Sequence, residues 1–129
     1  MPITALFAAL LAPIFLALSL RVIARRREGG TSLGDGGDAV LLRRMRVHAN
    51  FAEYAPFGLV LLGLAESLHS PTWLLYALGL LLLLGRLLHA IGMSREPGIM
   101  AFRSAGMALT FTMLGAAALT CLGGALRGL

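Results

Sequence analysis

RVHANFAEY, residues 46–54, followed almost at once by FGLVLLGLA, residues 57–65, decides how this chain is built. Arginine, histidine, asparagine, glutamate and tyrosine crowd the edge of a long apolar run. In a membrane, such groups must face protein or water, because a charge at the bilayer centre costs about 2.5 to 3.5 kcal/mol even on insertion scales. At about 100° per residue, Arg43, Arg46, Asn50, Glu53 and Tyr54 fall within roughly one 100° arc of a helix, with Arg44 and His48 to its side. A polar stripe on an otherwise oily helix requires a bundle around it.

The rest of the sequence supplies that bundle. Of its 129 residues 58% are hydrophobic and only 13% are charged, with a mean hydropathy of +0.85. Soluble domains carry about 25% charged residues, so this composition reads as an all-α membrane protein. The length holds about four spans of roughly 20 residues and leaves no room for a soluble domain. We therefore expect one four-helix transmembrane domain over residues 1–129, with helices at about 2–27, 38–68, 72–93 and 103–126.

The first span, ITALFAALLAPIFLALSL, is uncharged and is followed, not preceded, by Arg21, Arg25, Arg26 and Arg27. That order favours a retained span over a cleaved signal. EGGTSLGDGGDA, residues 28–39, reads as a loop; its GDGG lacks the strand and the Lys-Ser pair of a phosphate cradle. Asp38 is placed to cap helix two, and Pro56 falls at the junction of its polar and apolar halves. Trp73 and Tyr76 mark an interfacial end of helix three, and helix four is rich in Gly, Ala and Thr, which permits close helix contact. All the arginines except Arg127 gather at the loops after helices one and three and the adjoining helix ends, while the loop between helices two and three has none. By the positive-inside rule both termini face away from the cytoplasm.

There is no lysine among the eleven basic residues, and the net charge is +5. Arginine favours planar, two-pronged binding of carboxylate or phosphate. A structural reading exists: Arg43 or Arg46 paired with Glu53 along helix two and across to Arg86, as an ion-pair lattice. Arg86 and His89 share one face of helix three, Arg103 and Ser104 open helix four, and Arg26 and Arg27 close helix one. Arginine thus outnumbers acid at one membrane face, which points to an anionic ligand, with a phospholipid headgroup as the simplest competitor. Cys121 lies in an apolar stretch without metal-ligand spacing, Glu66 and His69 are too sparse for a metal, and no nucleic-acid motif appears.

RRMRVHANFAEYAPFGLVLLGLAE, with SLRVIARRR, GDGG, GRLLHAIG and FRSAGMAL in order around it, resembles the MAPEG family, the membrane-associated proteins of eicosanoid and glutathione metabolism. The pattern Arg-x-His/Gln-x-Asn-x-x-Glu-Tyr-x-Pro carries the likeness, which is greatest to short bacterial inner-membrane members. The resemblance implies a homotrimer of four-helix subunits with glutathione as co-substrate at each subunit interface. It implies a glutathione-binding set of Arg26, Arg27, Arg46, His48, Asn50, Glu53, Tyr54, Arg86 and His89, and a catalytic pair, Arg103 with Ser104, that activates the thiol. From its position alone His48 reads as an interfacial residue.

The implied activity is a glutathione transferase, extending to peroxidase chemistry, that acts on lipophilic electrophiles entering from the bilayer. The alternative is a lipid- or glutathione-binding scaffold of the same fold. Met93 stands where strongly conjugating relatives carry a tyrosine, and the loop SREPGIMAF differs in length from eukaryotic relatives. A proton-coupled exporter of similar size would need an acid in the first span, which has none.

Overall fold

Four α-helices in a computed structural model, which describes residues 1–128, account for nearly the whole chain: α1 Pro2–Gly29, α2 Ala39–Ser67, α3 Thr72–Ser94 and α4 Met100–Gly128. The described residues contain no strand. Three helices, α1, α3 and α4, are long and apolar enough to cross a membrane. The expected fourth span, α2, is not apolar enough by itself, because its first half carries Arg43, Arg44, Arg46 and Glu53. Like α3, it packs against all three other helices, whereas α1 and α4 do not approach each other. Leu16, Phe57, Val60, Leu119 and Leu122 remain exposed on the outside, a display that suits lipid and not water.

The helix ends follow local chemistry. Asp38 is the N-cap of α2, its carboxylate accepting from the backbone N–H groups of Val40 at 2.9 Å and Leu41 at 3.2 Å. Gly30 ends α1 in the left-handed conformation at φ 63°. Both α1 and α2 run on through Pro13 and Pro56. Helix α4 begins at Met100, one turn ahead of the start expected near Arg103, so Arg103 lies inside its first turn.

Glycine sets the tightest crossing. A β-carbon on Gly106 of α4 would stand 2.5 Å from the His89 nitrogen and 2.7 Å from the Gly85 carbonyl oxygen of α3. One on Gly85 would meet Thr110 Oγ1 at 2.7 Å. Backbones at this distance bring Thr110 directly against α3. At the opposite wall, Gly79 of α3 receives the ring of Phe7 from α1. Leu62, Leu78, Leu82, Met113 and Ala117 fill the space between.

Candidate functional site

The arc of polar residues on α2 divides between two environments. Asn50 and Tyr54 turn inward to Arg86 of α3, which is only 1% exposed. Arg86 Nη1 donates to Asn50 Oδ1 at 2.6 Å, and Nε and Nη2 donate to Thr110 Oγ1 at 3.1 and 2.8 Å. Nη2 also approaches Met107 Sδ at 3.3 Å, and the guanidinium carbon lies 5.2 Å from the centre of the Tyr54 ring. Tyr54 in turn meets the Phe111 ring edge-on at 5.7 Å. No carboxylate of the described residues lies within 4.0 Å of Arg86. Its charge is held by neutral oxygens and an aromatic face, which satisfies its donors and joins α2, α3 and α4 at one level.

Arg46 and Glu53 point the other way. Both are exposed, and neither side chain has a hydrogen-bond or ion-pair partner among the described residues. The lattice reading, Glu53 tied to Arg43, Arg46 or Arg86, is therefore absent: Arg43 instead donates to the Arg95 carbonyl at 2.8 Å and pairs with Glu96 at 3.4 Å. Together with the pairs of Arg25 to Glu28 and Asp38, these are all the ion pairs of the described residues. The surplus of arginine over acid persists in three dimensions.

The remaining candidates sit apart from one another. Arg26 Nη1 is engaged by the Gly34 carbonyl at 2.8 Å and so braces the first loop, while Arg27 beside it is exposed. Both line a recess of about 310 Å³ with Gly30, Thr31 and Ser32. His48 is not on the outward face: its Nε2 lies 3.0 Å from Ser19 Oγ, and its ring stacks on Phe15 at 5.0 Å. His89 is buried against the Gly106 crossing. Arg103 is half-buried and Ser104 exposed in the first turn of α4. Met93 packs partly buried against the core. Within one subunit these groups do not converge on a single cleft.

Two residues that sequence reasoning missed prove structural. Thr110 receives Arg86 while giving its own proton to the Gly106 carbonyl at 2.8 Å; the Gly-Met-Ala-Leu-Thr spacing was its only signal. Glu66, near the end of α2, accepts from the backbone N–H groups of Ile3 at 3.0 Å and Thr4 at 2.8 Å, and from the Thr4 hydroxyl at 2.6 Å. It caps the start of α1.

The model of the MAPEG family matches residues 4–123, nearly the whole of this chain. The chain is a member of the MAPEG family. Inner membrane protein YecN of Escherichia coli K12 is 33% identical to this MAPEG chain over 112 residues, covering 87% of this chain and 84% of the relative. The protein of the same name from Escherichia coli O6:H1 matches to the same extent. That name states a location and no activity. No solved structure matches. The MAPEG chain is thus an integral membrane protein whose relative is assigned to the inner membrane.

Proposed function

We propose that this MAPEG protein is a glutathione-dependent membrane transferase, extending to peroxidase chemistry, whose site is completed between the subunits of a homotrimer. The supporting observation is the pair Arg46 and Glu53, oppositely charged, exposed on α2, and unpaired among the described residues. Unpaired charges on such a helix need a neighbouring subunit, a ligand, or both. They stand seven positions apart, about 10 Å along the axis, and an extended tripeptide spans about 10 Å. Glu53 suits an ammonium and Arg46 a carboxylate, and glutathione carries both. In this reading α2 crosses the bilayer with its three companions, the termini lie on the non-cytoplasmic side, and Arg27 adds a further free guanidinium from a neighbour.

Arg103 is the proposed activating group. It is half-buried, has no side-chain partner among the described residues, and sits in the first turn of α4. A helix start and a guanidinium both favour an anion nearby, and a fall of about two units in a thiol pKa corresponds to roughly 2.7 kcal/mol. The thiol proton leaves to water, and the thiolate attacks the electrophilic carbon. A carbon–sulfur bond forms as the bond to the leaving group breaks, and the leaving group departs with the electron pair. The electrophile arrives through the bilayer.

A second reading, a scaffold that binds lipid or glutathione without turnover, draws on two side chains already engaged: Asn50 by Arg86 and Arg26 by Gly34. Conjugation of glutathione to 1-chloro-2,4-dinitrobenzene by the purified protein distinguishes the two. The transferase reading expects turnover that Arg103→Ala abolishes while cross-linking still yields trimers. Undiminished turnover in the variant removes the assignment of Arg103, and glutathione binding without turnover in the parent favours the scaffold.

A further inference from the structure

On the arginine-rich end of the bundle, α1 and α3 enclose a groove that the proposed glutathione site does not use. Its walls include Ile14, Leu18, Leu87 and Ile91, its mouth is formed by Arg21, Ser94 and Arg95, and its volume is about 280 Å³. Arg21 Nη1 donates to Ser94 Oγ at 2.9 Å, and Arg44 reaches over from α2 to donate to the Arg21 carbonyl at 2.8 Å. None of Arg21, Arg44 and Arg95 has a carboxylate within 4.0 Å among the described residues; Glu96, next in sequence to Arg95, is taken by Arg43. Two guanidinium groups without counter-ions, those of Arg21 and Arg95, therefore stand at one end of an apolar trough, with Arg44 bonded to the Arg21 carbonyl. From Ile14 to Arg21 the trough runs about 10 Å along α1.

We infer that this groove holds a phospholipid with an anionic headgroup, drawn from the leaflet on the arginine-rich side. The phosphate sits among Arg21, Ser94 and Arg95, where planar donors match its oxygens, and one acyl chain lies along the trough. The walls exclude a purely polar occupant, since a free phosphate or a peptide would leave the apolar surface without a partner. The charge selects among lipids: a zwitterionic headgroup brings its own cation, whereas an anionic one neutralises part of the excess. The inference concerns residues outside the glutathione set and stands or falls independently of it.

Melting temperature in a neutral detergent tests it, with phosphatidylglycerol, phosphatidylcholine or inorganic phosphate added to the full-length protein. Phosphatidylglycerol is expected to raise the melting temperature, and the other two to leave it unchanged. Arg95→Gln removes a guanidinium that makes no hydrogen bond or ion pair among the described residues, so the variant melts normally without lipid and binds phosphatidylglycerol about fivefold more weakly. Ala17→Phe, which fills the trough at an exposed position, also reduces the lipid effect. Equal shifts from both lipids, a shift from inorganic phosphate alone, or an undiminished phosphatidylglycerol response in Arg95→Gln would overturn the inference.

Discussion

Helix α2 carries two glutamates, Glu53 and Glu66, about 20 Å apart along its axis, and the fold treats them oppositely. Glu66 is half-buried and accepts three hydrogen bonds from the start of α1. Glu53 is exposed and has no partner among the described residues. The same side chain therefore builds the bundle at one end and is left over near the other. Arginine divides in the same way: Arg86 is enclosed and satisfied by Asn50 and Thr110, while Arg46 lies open on the α2 surface. Satisfied groups can be assigned to architecture, and unsatisfied ones are the candidates for ligand or neighbour.

The largest effect that would sharpen this division is expected at Arg86. Arg86→Ala empties a buried volume and strands Asn50 and Thr110, which should lower stability by about 3 kcal/mol in detergent unfolding curves. A variant as stable as the parent would mean that Arg86 is not the central tie. Next is Glu66→Ala, which uncaps α1 and should cost about 1 kcal/mol, while any response to glutathione stays intact; loss of that response would break the comparison.

The smallest effect belongs to Asp38. The guanidinium of Arg25, 2.7 Å away, holds its carboxyl below the ordinary carboxylate range, and the backbone N–H groups of Leu41 and Val40 add to this. A depressed folded value means that the stabilisation is fully present above the unfolded pKa of about 3.9 and fades as pH falls through the lower folded value. Melting measured down an acid series should show a small additional loss in that window, and Asp38→Asn should remove it.

Much of the architecture was legible because apolar length and punctuation are local. The Asp38 cap and the first-loop glycines follow from short stretches of chain. The polar stripe was harder. A 100° arc placed Arg46, Asn50, Glu53 and Tyr54 together, yet such an arc is wide enough to straddle an inward and an outward surface. Only the position of α3 shows that Asn50 and Tyr54 belong to Arg86 while Arg46 and Glu53 do not. The role of Glu66 was hidden for a different reason: its partners lie more than sixty positions away in the chain, and no periodicity links them. Thr110 was masked by the surrounding Gly, Ala and Thr of α4, which read as packing residues.

The most direct test of the unpaired α2 surface is the melting temperature in detergent with and without glutathione, for the parent beside Glu53→Gln. The account predicts that the two proteins melt alike without ligand, that glutathione raises the parent, and that the variant fails to respond. No rise in the parent, or an equal rise in both, would contradict it.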